Sequence, residues 1–258
     1  MPNNELTILI PMAGEGSRFV DENYEDPKPL IDVSGKPMVV QAVNFLPKAE
    51  NHVFICRTEH INDYGLASTL KLEYPDCKII DIDYLTEGQA STCLLSKDQV
   101  SQEKPLLIGA CDNGMTWNQN KYNSYISDES IDALIWTFRN NVTVKLNPKM
   151  YGWVVIDEEN IAQKVSCKVP ISDNSVHDHA VVGTFWFRKA EHFFYYTEKL
   201  IKKNRRINNE FYVDEVMNES IEDGLNIKVF EIDKYICWGT PNDLYVYQYW
   251  ENYFMEQY

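Results

Sequence analysis

Leu6-Thr7-Ile8-Leu9-Ile10-Pro11-Met12-Ala13-Gly14-Glu15-Gly16-Ser17-Arg18-Phe19 carries an apolar run straight into a glycine-bearing turn. A buried parallel strand that feeds a phosphate-facing loop has this order. Two glycines let backbone N–H groups approach a triphosphate, and Arg18 adds a fixed cation. Taken alone, Gly-x-Gly after a strand reads equally well as a plain tight turn. It lacks the third glycine of the dinucleotide fingerprint and the Gly-Lys-Ser/Thr of the P-loop.

Outward from this stretch the pattern alternates. Pro37 introduces a helical face over Met38–Leu46, and His52–Cys56 reads as a second strand. Ile61–Leu72 reads as a helix, Lys78–Asp83 as a strand, and Gln89–Leu95 as the start of another helix. Pro105–Ala110 and Ala133–Phe138 are further strands, so the fold class is α/β, with a doubly wound, Rossmann-like, mostly parallel central sheet and helices on both faces. After residue 140 the pieces shorten, to strands at Gly152–Ile156, Ala162–Val165, Ala180–Phe187 and Ile227–Glu231, with aromatic helices at His192–Lys203 and Tyr212–Glu222. This second portion reads as a smaller α+β, substrate-binding half.

Composition narrows the function classes. An apolar fraction of 44% across 258 residues supports a sizeable core. Net charge is −15, so the average field repels polyanions and argues against nucleic acid as a partner. Six scattered cysteines show neither zinc spacing nor disulfide density, which points to reduced thiols in the cytoplasm. No signal-peptide pattern and no run of about 20 apolar residues is present, so neither secretion nor membrane insertion is expected. No hexapeptide array follows the core pattern, and the chain is expected to end with the core fold.

What resolves the ambiguity of the glycine turn is Pro27-Lys28-Pro29-Leu30 followed by Gly35-Lys36-Pro37-Met38. With the first loop, this block resembles the nucleotidyltransferases that act on sugar 1-phosphates, and the resemblance extends from Leu6 to Leu244. It implies a GT-A-type fold, residues 1–140 as an NTP-binding half and 141–258 as an acceptor-binding half of one nucleotidyltransferase domain. It implies that Gly14, Gly16, Arg18 and Lys28 bind the NTP phosphates, with Arg18 and Lys28 catalytic, and it groups Ala13 and Ser17 with the nucleotide contacts. Gly88 and Gln89, in Thr86-Glu87-Gly88-Gln89-Ala90, stand where the family contacts the base; a helix N-cap is the alternative. Asp112 matches the family's metal-binding aspartate, with Mg²⁺ as the cofactor.

Less specific motifs in the second half are Tyr151-Gly152, Lys168 before Val169-Pro170, Val182-Gly183-Thr184 and the segment Glu210–Asp214. The resemblance assigns Gly152, Lys168, Gly183 and Glu210 to the acceptor. Acidic residues opening a helix are equally explained by its dipole. Two positions depart from the family. Cys237 stands where a second metal carboxylate is normal, with Asp233 as a nearby oxygen donor, and Cys167 stands where an acidic residue commonly precedes the lysine. No general base is required, because a phosphate monoester with a second pKa of about 6 is already mostly dianionic at neutral pH. The pair His177 and His179 reads as a polar turn.

The implied reaction is transfer of NMP from an NTP to a sugar 1-phosphate with release of pyrophosphate, for capsule, lipopolysaccharide or other glycan precursors. The alternatives are a cytidylyltransferase for a non-sugar phosphate (phosphocholine, a polyol phosphate or an amino-acid phosphate) and a non-catalytic regulatory subunit. The tail aromatics Tyr245, Tyr247, Tyr249, Trp250, Tyr253, Phe254 and Tyr258 are expected to pack within the chain, with a homo-oligomer contact as the second reading.

Overall fold

The computed structural model describes residues 3–257. β1 (Asn3–Met12) is buried on both faces: Leu9 enters one core cluster, while Leu6, Ile8 and Ile10 enter the other. A strand covered on both sides needs a nearly continuous apolar run, which is what its sequence supplies. The chain then forms α1 (Ser17–Asp21) and a short ribbon of β2 (Asp32–Val33) and β3 (Lys36–Pro37). Ser34 and Gly35 turn that ribbon, both with positive φ, as a two-residue hairpin requires.

α2 (Met38–Asn44) starts directly after Pro37, and β4 (Ala49–Arg57) returns parallel to β1. The helix expected over Ile61–Leu72 is two helices, α3 (Thr58–Tyr64) and α4 (Leu66–Glu73), separated by the left-handed Gly65. β5 (Lys78–Ile82), α5 (Gln89–Leu94) and β6 (Leu106–Ile108) complete the alternation. β7 (Asn113–Thr116), α6 (Gln119–Ser127) and β8 (Ala133–Phe138) follow.

The second portion contributes β9 (Gly152–Ile156), β10 (Ala162–Cys167), β11 (His179–Phe187), α7 (Ala190–Lys203), α8 (Val213–Glu222), β12 (Ile227–Glu231), β13 (Lys234–Cys237) and α9 (Pro241–Gln257). The main sheet has the order β10-β9-β11-β6-β1-β4-β5, with β8 on β11 and β12 on β8. It is parallel through β6-β1-β4-β5 and antiparallel where β11 meets β6, β8 and β9. Helices α5, α7 and α8 cover one face, and α2, α4 and α6 the other.

A third, smaller cluster joins Phe19, Val33, Met38 and Ala42 to Trp238 and Leu244. The fully buried Phe19, Val33, Met38 and Leu244 side chains contribute about 1.5–3 kcal/mol each. The cluster therefore ties the loop after β1 to the segment after β13. It also accounts for the tail. Leu244 is fully buried and Tyr247 packs against Trp238 with ring centroids 5.6 Å apart. Tyr245, Tyr249, Trp250, Tyr253 and Phe254, expected to pack within the chain, are instead exposed, because the aromatics of α9 recur around the whole helix and only one side meets the core. Tyr258 lies outside the described residues.

Candidate active site

The loop after β1, the loop before α5 and the loop after β6 meet at the carboxyl end of the parallel strands, where open α/β sheets bind ligands. Gly16 has φ 63°, and a Cβ there would lie 3.3 Å from Lys28 Cβ, so the glycine turn and the Pro-Lys segment close on one another. Lys28 Nζ sits 2.5 Å from Asp112 Oδ2, joining residues 84 positions apart. Burial draws the Lys28 ammonium down, but the Asp112 carboxylate beside it and the neighbouring Cys111 outweigh this, and the group ends above its usual range. Lys28 is a fixed positive charge at neutral pH.

Gly88 adopts φ 115°, and a Cβ there would approach the Phe211 backbone N and O to 2.7 Å. The close approach is held by Phe211 N donating to Glu87 O at 2.7 Å and Ala90 N donating to Phe211 O at 2.9 Å. Arg206 pairs with Glu87 at 2.8 Å and lies over the Phe211 ring at 4.1 Å. These contacts clamp the segment that opens α5 against the segment that opens α8.

Three contiguous cavities result. One of about 350 Å³ is lined by Ala13, Gly14, Thr86, Gly88, Gln89 and Glu210. A second of about 250 Å³ joins Gly14, Gly16, Lys28, His60, Gln89 and Asp112. The third, about 300 Å³, is lined by Arg18, Gln89, Asp112, Gly152, Lys168, Gly183 and Asp214 among others. Gln89 faces all three, and Asp112 the last two. A further cavity of about 870 Å³ runs along α9 between Leu146 and Phe254; no lysine or arginine lines it, so it offers phosphate no cation.

In the third cavity Lys168 has φ 62° and donates to Met150 O at 2.5 Å while lying 5.3 Å from the Tyr212 ring. Gly183 falls in the register irregularity of β11 between Val181 and Phe185, beside Asn113, whose amide donates to Val182 O. Asp214 is 8% exposed, and burial pushes its carboxyl up to about 6.

Cys237 pairs in register with Asn113 and borders Asp112. Burial, then the carboxylates of Asp112 and Asp243, push its thiol up to about 12, so it is neutral. Its Sγ donates to Asp243 Oδ2 at 3.4 Å, and Thr240 Oγ1 donates to the same oxygen at 2.7 Å. The carboxylate bonded to the Cys237 thiol is therefore Asp243; Asp233, expected from the sequence as an oxygen donor, is exposed between β12 and β13, outside the lining of the three cavities. Among the described residues no group of three or more His, Cys, Asp and Glu side chains is placed to hold a metal. A hard cation that takes one carboxylate and draws its other ligands from water and phosphates fits Asp112, which borders two of the cavities with its Oδ2 held by Lys28.

No family model matches the chain. It is 24% identical over 238 residues to the bifunctional protein GlmU of Campylobacter fetus subsp. fetus, covering 90% of this chain and 50% of that one. The chain thus spans about half the length of that relative. A nucleoside-diphosphate-sugar pyrophosphorylase from Vibrio cholerae RC9 superposes with a TM-score of 0.74 at 21% identity, over 93% of this chain and 98% of the other. The fold is that of the sugar-1-phosphate nucleotidyltransferases. The inositol-1-phosphate CTP transferase from T. maritima has the same nucleotidyltransferase fold, with a TM-score of 0.71 at 16% identity over 95% and 94% of the two chains. The family resemblance carried by the Pro27–Leu30 and Gly35–Met38 block agrees with both kinds of comparison.

Within this nucleotidyltransferase fold, Ala13, Gly14, Gly16, Lys28, Gly88, Gln89 and Asp112 come together around the first two cavities, and Gly152, Lys168 and Gly183 around the third. Three further residues line neighbouring parts of the site. Ser17, grouped with the nucleotide contacts, is the first residue of α1 and lines an adjoining cavity with Tyr24 and Arg57 that shares Glu15, Lys28 and His60 with the second. Arg18 lines the Lys168 cavity rather than the glycine-loop cavities. Glu210, assigned to the acceptor, lines the Gly88 cavity, since the Phe211–Glu87 pairing holds it on that side; Asp214, four positions on, lines Lys168's cavity together with Asp112. His60, given no role from sequence, borders the Lys28 cavity, while His177 and His179 are bound to Asn140 and Thr137.

Proposed function

We propose that the chain is a cytoplasmic nucleotidyltransferase that transfers NMP from an NTP to a small phosphate monoester, a sugar 1-phosphate in the first instance, and releases pyrophosphate. The observation that carries this reading is the Lys28–Asp112 pair at the junction of a glycine-loop cavity and a cavity containing Lys168. The glycine loop and Gln89 would bind the nucleotide, and Lys168 the acceptor phosphate.

A dianionic acceptor phosphate attacks the α-phosphorus, the new P–O bond forms as the bond to the pyrophosphate oxygen breaks, and no proton has to be removed first. Lys28, held charged, stabilises the negative charge that builds on the departing pyrophosphate, with Arg18 as a second cation from the acceptor side. Mg²⁺ held at Asp112 would neutralise phosphate charge. The unpaired state of all six cysteines is consistent with a reducing compartment. Among the described residues no helix is long and apolar enough to cross a membrane.

A glycan precursor for capsule or lipopolysaccharide is the product class this activity would serve. The neutral thiols at Cys167 and Cys237 favour keeping non-sugar phosphates as acceptors as well. A purely regulatory role is disfavoured by the intact Lys28–Asp112 pair. Magnesium-dependent pyrophosphate release that requires both an NTP and a phosphate monoester tests the proposal; an NTP bound without such release from any acceptor rejects it.

A further inference from the structure

Asp214 stands in the first turn of α8 and lines the Lys168 cavity. Its Oδ1 is buried and without a hydrogen-bond partner from another residue, and its Oδ2 accepts from the Cys167 thiol at 3.7 Å. Room for the carboxylate comes from Gly152, where a Cβ would lie 2.5 Å from Oδ1. A buried carboxylate oxygen ordinarily has donors, because an unpaired buried charge is expensive. The Lys168 ammonium acts on this carboxylate through space and lowers its pKa, but makes no hydrogen bond to it, donating instead to Met150 O. Glu215, next along α8, is paired with Arg205 at 2.8 Å, so only Asp214 is left without a cationic partner at this end of the helix.

We infer, granting the nucleotidyl-transfer reading, that the acceptor is a phosphate monoester bearing an ammonium group, with Lys168 taking its phosphate and Asp214 its ammonium. A neutral hydroxyl would give the carboxylate a donor but no ion pair, whereas an ammonium gives it both. The walls suit a cation too, since Tyr151, Phe185 and Tyr212 line the same cavity. One N–H of the Asn113 amide is taken up by Val182 O. Burial holds the Asp214 carboxyl up at about 6, in keeping with a group whose charge awaits a partner. Turning the carboxylate about its last bond, a soft two-fold torsion, brings either oxygen toward the cavity.

The test is calorimetric binding of matched probes: glucosamine 1-phosphate against glucose 1-phosphate, and phosphoethanolamine against glycerol 3-phosphate. The ammonium member of at least one pair should bind at least ~10-fold more tightly than its neutral twin, and Asp214→Asn should reduce that preference to about 2-fold or less. The inference is overturned if the neutral twins bind as tightly in both pairs, if neither ammonium probe binds, or if the preference survives in Asp214→Asn. The comparison of twins on the wild-type protein decides the matter even if the variant fails to fold. NTP binding, titrated separately, reports on the glycine-loop site: its persistence alongside a failed preference removes this inference alone, whereas its absence removes the nucleotidyl-transfer reading.

Discussion

Lys28 and Asp112 are joined at 2.5 Å where the glycine-loop cavity opens into the Lys168 cavity. A charge-assisted contact of this kind fixes both side chains and keeps a cation ready beside the place where pyrophosphate charge would build.

Removing that cation should act on chemistry more than on folding. Lys28→Ala is expected to lower turnover by at least ~10²-fold, by analogy with loss of one oxyanion donor, with an unchanged far-ultraviolet circular dichroism spectrum. Near-wild-type turnover would sink the assignment.

The metal account rests on one carboxylate. Asp112→Asn should weaken Mn²⁺ binding in the presence of NTP, read by electron paramagnetic resonance, and chelation should abolish pyrophosphate release. Cys237→Asp restores a second carboxylate beside Asp112 and is expected to tighten Mn²⁺ by roughly tenfold, since affinity follows ligand charge. Unchanged Mn²⁺ binding in both variants would place the metal elsewhere.

These residues differ in how far the sequence betrays them. β1 and its loop were legible because a strand buried on both faces must be continuously apolar, and the Pro27–Leu30 block is specific. β7 and α6 were not, because Asn113–Thr116 contains a glycine and no alternation, and Gln119–Ser127 buries only Tyr122. The split at Gly65 was hidden in an unbroken helical pattern. Asp214 was not singled out from the Glu210–Asp214 segment because the Phe211–Glu87 backbone pairing decides which of the two lines Lys168's cavity; the signal available was the acidic pair Asp214-Glu215 opening a helix. His60 gave no signal at all, its position depending on how α3 sits over the Lys28 loop.

Gly88→Ala tests the clamp between α5 and α8. A Cβ 2.7 Å from the Phe211 backbone, at φ 115°, forces the two segments apart. Urea unfolding should show a loss of about 2–3 kcal/mol, and NTP binding should weaken in parallel. A variant as stable as the wild type would mean that the pairing is not a constraint.

Asp214 sets a pH dependence. Its carboxyl titrates higher in the folded chain, at about 6, than in the unfolded chain, so the folded state gains by keeping the proton. That stability is fully present below the unfolded value and is lost as pH rises through about 6. Asp214→Asn, which cannot ionise, should therefore be more stable than the wild type at pH 8 by about 2–3 kcal/mol, with the advantage shrinking below pH 5. An advantage of equal size at pH 4.5 and pH 8 would show that ionisation is not its source.

The most direct test of nucleotidyl transfer is ³¹P NMR of the protein with Mg²⁺, an NTP and a phosphate monoester. The account predicts that the acceptor phosphorus becomes half of an unsymmetrical, coupled diphosphate as free pyrophosphate appears, both absent with Lys28→Ala. Formation of NDP with orthophosphate, or of NDP with a doubly phosphorylated acceptor, would place attack at the γ-phosphorus and contradict it.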